Sequence, residues 1–209
     1  MDDAAPTIMT IGHSTLSYEE FLSMLRGAGV SAVADVRSVP YSRHTPQFNS
    51  ETLKAGLKSD GIAYVFLGDE LGGRPETREF YCEGVADYEL MATKPTFEHG
   101  LGRVIEGATR HRIAMMCSEQ DPLDCHRCLL VGRALKGHGF PIKHILNNGL
   151  LIKHDDIEQC LLAQSGEDLG QSDFLFTQSE RLANAYRARA RKVAFADSSM
   201  VHIPATAAG

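Results

Sequence analysis

Short β-rich runs alternate with longer segments of helical period along most of this chain, and that alternation constrains the fold more than any other feature. Residues 7–12 read as a buried strand running into Gly12-His13-Ser14-Thr15. Ser17 and Glu20 then form a capping-box pattern, in which each side chain satisfies the other's exposed backbone donor. Phe21, Leu22, Leu25 and Ala28 follow at helical spacing, and Gly29 is placed to end that helix. Residues 32–36 are the second expected strand, leading through Arg37-Ser38-Val39-Pro40 and a polar loop over 41–47 to a helix over about 50–59. Residues 62–67, 113–117 and 141–146 complete the strands. Between the third and fourth, residues 68–84, with Gly72, Gly73 and Pro75, are expected to be loop, and two helical pieces divided near Pro95 come next. After the fourth, Asp121 as N-cap, Pro122 at the first helical position and Asp124 in the first turn are expected to open a helix that Gly137 and Gly139 close.

This pattern predicts a three-layer, Rossmann-like α/β sandwich with a mostly parallel five-stranded sheet and helices on both faces. One domain over residues 1–164 accounts for it. Residues 165–209 are expected to be a polar linker, a basic helix over 180–192 with Leu182, Ala185 and Tyr186 on one side, and a mobile tail.

A net charge of −6 over 209 residues argues against a broad nucleic-acid surface, while leaving room for a local basic pocket. No uninterrupted apolar stretch approaches membrane-spanning length. The start, Met-Asp-Asp-Ala-Ala-Pro, does not have the pattern of a secretory signal. The five cysteines are an odd number in a mid-sized chain, which reads as reduced thiols and a cytoplasmic location.

Right-handed crossovers place all parallel strand ends on one edge, where open α/β sheets bind ligands. Three of these ends carry unusual polar residues: His13-Ser14, Asp35-Val36-Arg37 and Cys117-Ser118-Glu119. The richest is the run from Cys117 to Arg127. With a helix expected after Asp121, Cys125, His126 and Arg127 fall in its opening turns, where the exposed N–H groups favour an anion or a thiolate. The plainer alternative is a buried Cys117 with solvated His126 and Arg127. Cys125-His126-Arg127-Cys128 also fits the C-x-x-C spacing of attacking and resolving thiols, although Cys128 sits beside Leu129 and Leu130 where the helix faces the core. A zinc centre lacks a second ligand pair at a recognised spacing, so no metal ligand is assigned. Strand alternation points Asp35 and Arg37 to one side, either toward a ligand or toward each other. His13 reads as an acid, base or ligand, or else as a hydrogen-bonded structural residue. Ser42, Arg43 and Gln47 lie in the following loop, where a plain surface role competes with binding.

Ile-Gly-His-Ser-Thr, Asp-Val-Arg-Ser-Val-Pro-Tyr-Ser-Arg, Pro-Gln-Phe-Asn, Leu-Gly-Gly-Arg and Cys-Ser-Glu-Gln-Asp-Pro-Leu-Asp-Cys-His-Arg occur in that order. Together, over roughly residues 7–147, they closely resemble the bacterial and archaeal family called domain of unknown function 488. The resemblance implies a compact α/β domain. It marks His13, Asp35, Arg37, Ser42, Arg43, Arg74, Cys117, Glu119, Cys125, His126 and Arg127 as motif positions, and it implies no assigned activity. The residue after Cys-His-Arg is often Ser in such proteins and is Cys128 here, so C-x-x-C chemistry does not follow from the resemblance.

The leading expectation is an enzyme for a small anionic substrate, such as a nucleotide or a phosphorylated metabolite. Arg37, Arg43 and Arg127 would clamp the anion, with Arg74, His13, Ser14, Asp35 and Ser42 as further binding residues. Glu119 or His126 would transfer protons, and Cys117 or Cys125 would act as nucleophile or shape the pocket. The alternatives are a thiol-redox or metal-binding protein built on Cys117, Cys125 and His126, or a non-catalytic sensor of the same ligand. No cofactor is specified, and no membrane partner is expected.

Overall fold

The computed structural model describes residues 5–165 and 177–200. Strands β1 (Ile8–Gly12), β2 (Ala32–Asp35), β3 (Ala63–Phe66), β6 (Ile113–Cys117), β7 (Ile142–Ile145) and β8 (Leu151–Lys153) form one sheet in the order β3-β2-β6-β1-β7-β8. Every neighbouring pair is parallel except β7 and β8. The sheet therefore has six strands where five were expected. The added β8 needs no crossover, because Asn147 to Leu150 turn the chain directly back onto β7. A separate two-stranded ribbon joins β4 (Tyr81–Cys82) to β5 (Val85–Ala86).

Side chains alternate across the strands, and each face has its own core. Met9, Ile11, Val33, Ala114 and Met116 pack beneath α1 (Tyr18–Gly27) and α2 (Ser50–Ser59) through Phe21, Leu25, Leu53 and Leu57. Ile8, Ala34, Met115 and Ile142 face the other way, against Phe97, Leu101 and Val104 of α5 (Pro95–Ala108) and against Leu161 of α7 (His154–Gln164). The result is a three-layer α/β sandwich. Ser17 and Glu20 make the capping box the sequence indicated, and Pro95 opens α5.

Two segments depart from expectation. Residues 68–84 are not all loop, because they hold α3 (Gly68–Leu71), a 3₁₀ turn at Arg78–Phe80 and β4. The helix expected after Asp121 does not run on. Asp121 caps Leu123 N–H, but only a 3₁₀ turn, Pro122–Asp124, follows, and Cys125 then swings to φ −136°, ψ 138°. A π-helical stretch, Arg127–Gly132, resumes after this break and passes into α6 (Arg133–Gly137). Between the ribbon and α5 lies the short α4 (Tyr88–Met91).

The basic helix appears as α8 (Gln178–Val193), capped by Thr177 with Glu180 and buried through Ala185 and Tyr186. Most of the linker expected from residue 165 and the end of the tail lie outside the described residues. No helix among the described residues is long and apolar enough to cross a membrane.

Candidate metal and thiol centre

The site grows from the adjacent ends of β1, β2 and β6. Gly12 pairs with Cys117 and Asp35 with Met116, so the polar residues that follow start at nearly the same height. His13 N–H and Ser14 N–H continue the ladder, donating to the carbonyls of Cys117 and Ser118 at 2.9 Å each. This brings the loop after β6 directly over Gly12. A Cβ at residue 12 would lie 1.9 Å from Glu119 O, so only glycine fits there.

The break at Cys125 turns its sulfur back toward β6. Cys117 Sγ and Cys125 Sγ lie 2.9 and 3.0 Å from Glu119 Oε2, and 3.7 and 3.9 Å from His126 Nδ1. All four donor atoms fall within 4.8 Å of one another. His126 Nε2–H donates to Val36 O at 2.7 Å, which turns Nδ1 toward the sulfurs. Gly73 makes that ring position available, since a Cβ there would come 2.8 Å from the imidazole. Gly73 is thus a packing requirement of the site.

Burial dominates the electrostatics. It pushes the Cys117 thiol well above the ordinary thiol range, helped by charge on Cys125 and Glu119, and it raises the Glu119 carboxyl. For Cys125 burial acts in the same direction but is outweighed by hydrogen bonding from Cys117 and by the charges of Arg127 and His126, so this thiol is pulled well below its usual range. His126 is raised, because the Cys125 thiolate and the Val36 carbonyl outweigh burial.

A cleft of about 230 Å³ opens onto this cluster and is lined by Arg37, Arg74, Cys117, Ser118, Glu119 and His126. Val193, the last residue of α8, and Phe195 just beyond it form a further wall, and the Arg74 guanidinium lies 4.6 Å from the centre of the Phe195 ring. The sequence reading assigned no role to either apolar residue, and they have no polar signature by which to find them.

Several expected ligand contacts are corrected by the geometry. Arg127 does not face the cleft: it has no solvent exposure, and its terminal nitrogens donate to Glu119 O at 2.6 Å and Gln120 O at 2.9 Å. It clamps the loop that carries Glu119. Asp35 is equally buried, its oxygens taken by Arg37 at 2.6 and 2.9 Å and by Tyr64 Oη at 2.8 Å. The pairing alternative therefore describes these two residues, although Arg37 still reaches the cleft wall. His13 lies behind that wall, stacked 4.2 Å from Phe48, donating through Nδ1 to Ser14 O and accepting from Arg37 Nη1 at 3.2 Å. Burial and the Arg37 charge lower its pKa to about 4, so it is a neutral structural residue at pH 7. Ser14 holds a left-handed turn at φ 46°. Ser42 accepts from the N–H groups of His44 and Thr45, and Arg43 is exposed; neither lines the cleft. Cys128 is not the partner of Cys125, since it lies 3.9 Å from His144 Nε2 and 3.9 Å from His154 Nδ1 instead. All five cysteines are free thiols.

A family model described as Domain of unknown function DUF488 matches residues 17–134, more than half of the chain. The chain belongs to the DUF488 family. Comparison with curated proteins and with solved structures finds no match. The DUF488 match contains the whole Cys117, Glu119, Cys125 and His126 cluster as well as Arg37 and Arg74. It is shorter than the resemblance at both ends, beginning after His13 and ending before β7, α7 and α8.

Proposed function

We propose that this protein is a metal-dependent enzyme acting on a small anionic substrate, with a thiophilic divalent ion of the zinc class held by Cys117, Cys125 and His126. The observation that carries the reading is the fixed His126 ring. With Nε2–H tied to Val36 O, its Nδ1 faces two sulfurs at 3.7 and 3.9 Å. Tetrahedral sulfur and nitrogen ligands of one zinc ion are separated by roughly 3.5 Å, given bond lengths of about 2.3 and 2.0 Å, so the groups need to close by only a few tenths of an ångström. A backbone carbonyl holding the distal imidazole nitrogen is the usual support for such a ligand. When bound, zinc with three protein ligands offers an open position and acidifies a water held there. Glu119 Oε2 lies against both sulfurs and its residue lines the cleft, which suits the carboxylate to taking and returning a proton. Arg74, whose guanidinium lies over the Phe195 ring, brings a cation to the cleft wall that supports an anionic substrate, while the Arg37 charge is shared with Asp35.

A second reading, thiol-redox chemistry between Cys117 and Cys125, draws support from their proximity and from the lowered Cys125 pKa. Metal analysis separates the two. Reduced protein purified without chelators should carry zinc, and cobalt(II) in its place should give a thiolate charge-transfer band that Cys117→Ser or Cys125→Ser removes. Glu119→Gln should keep the metal and lose turnover across a panel of phosphate esters and nucleotides. Reduced protein that takes up neither ion, and that forms a Cys117–Cys125 disulfide on oxidation, would replace the metal reading with the redox one.

A further inference from the structure

The geometry points to a second metal site, built from Cys128, His144 and His154 and independent of every residue in the cleft. These three come from the π-helical stretch, from β7 and from the first residue of α7, and they are at most 2% exposed. Cys128 Sγ is 3.9 Å from both His144 Nε2 and His154 Nδ1, and the two nitrogens are 2.9 Å apart.

Hydrogen bonding away from the centre orients both rings. His154 Nε2 lies 2.8 Å from Tyr186 Oη, and that hydroxyl donates its only hydrogen to Glu158 Oε1 at 3.0 Å. His154 Nε2 must therefore be the donor, which leaves the Nδ1 lone pair facing His144 and Cys128. The other nitrogen of His144, Nδ1, lies 2.8 Å from Thr10 Oγ1, which can accept from it or donate to it. Two ring nitrogens facing each other at this distance need either a hydrogen or a metal ion between them. In the metal-free chain the hydrogen of a neutral His144 Nε2–H fills that place, donated to His154 Nδ1. In the loaded chain Nδ1–H donates to Thr10, and both facing nitrogens and the Cys128 thiolate bind one ion.

The dimensions suit a small three-coordinate centre. Trigonal bonds of about 2.3 Å to sulfur and 2.0 Å to nitrogen place sulfur and nitrogen about 3.7 Å apart, close to the 3.9 Å found. They place the nitrogens roughly 3.5 Å apart, so the imidazoles must separate by about half an ångström. A thiolate with two imidazoles selects a thiophilic transition-metal ion. Binding is balanced by loss of the Cys128 thiol proton to solvent, while the His144 proton moves from one ring nitrogen to the other.

The test uses the full-length chain carrying Cys117→Ser and Cys125→Ser, reduced, stripped of metal and titrated with cobalt(II). It should take up one equivalent, with a single-thiolate charge-transfer band that zinc displaces and that added Cys128→Ser removes. Wild type should take up two. A folded double variant that binds neither ion overturns the second site and leaves the cleft reading untouched, as does a band that survives loss of Cys128. Should the double variant fail to fold, zinc-loaded wild-type crystals decide. Anomalous density between Cys128 Sγ, His144 Nε2 and His154 Nδ1 is expected, and its absence there overturns the assignment.

Discussion

A fully buried guanidinium is costly unless its charge and its donors are answered locally. Arg127 meets the carbonyls of Glu119 and Gln120 through its terminal nitrogens, leaving Nε without a hydrogen-bond partner, and its charge faces Cys125. Arg127→Ala removes that charge and strands two carbonyls, so equilibrium urea unfolding should show a loss of about 2–4 kcal/mol. Arg127→Lys should recover only part, because one ammonium cannot reproduce the fork. A variant as stable as wild type would mean the loop does not depend on the clamp. His13 makes a separate prediction. Its pKa near 4 lies below the ordinary 6.5, so the unfolded chain binds this proton more readily than the fold does. The contribution of neutral His13 is complete above about pH 6.5 and is lost as pH falls toward 4. The pH-dependence of urea midpoints over that window should be shallower in His13→Gln, and an unchanged slope would remove His13 from the acid limb. In the sequence each residue carried both a ligand reading and a structural one, because a polar side chain at a strand end reads the same whether it faces a ligand or a carbonyl.

Most elements were legible because their signals are local. The Ser17 and Glu20 box, the N-cap at Asp121 and all five expected strands follow from neighbouring residues, and each is present in the fold. What local signals did not give is the length of the element after Asp121. Asp121-Pro122 starts a helical turn correctly, but Cys125 leaves helical geometry to bring its sulfur to Glu119 Oε2 and beside Cys117 of β6, contacts that helix propensity does not encode. This turn therefore does more for the site than for stability, and the two effects separate in a pair of variants. Asp121→Ala and Ser17→Ala should each cost about 1 kcal/mol in urea unfolding, the usual loss on removing a cap. Only Asp121→Ala should also weaken cobalt uptake at the cleft, by severalfold, because its turn delivers Cys125. Equal metal affinities in the two variants would show that the cap does not position the thiol.

At the scale of the whole molecule, the segments beyond the family match close the structure around the site. The Asn148-Gly149 step that returns the chain as β8 is a recognised hairpin signal, but the following strand is too short for its own pattern to register. The basic character of α8 was plain in the sequence, whereas its docking rests on pairs that no local pattern reveals. Arg189 Nε donates to Leu123 O at 3.0 Å and its guanidinium pairs with Asp124, tying α8 to the turn before Cys125. Beyond the helix, Ala86 N–H donates to Phe195 O at 2.9 Å and Asp197 N–H to Gly84 O at 2.7 Å, which fastens the cleft wall to the β4–β5 ribbon. The buried centre of this interface is Tyr186, which accepts from His154 and donates to Glu158. Tyr186→Phe keeps the ring and deletes both bonds, leaving two buried polar groups without their partner, at a cost of about 1–3 kcal/mol. The loss should fall on α8 before the sheet, because the apolar contacts of β1, β2 and β6 lie elsewhere. Amide exchange is therefore expected to accelerate in residues 178–193 of metal-free Tyr186→Phe protein while protection in the central strands is retained. Uniform acceleration across both would mean that α8 and the sheet unfold as one unit, and unchanged exchange would mean that the helix is held by its apolar face alone.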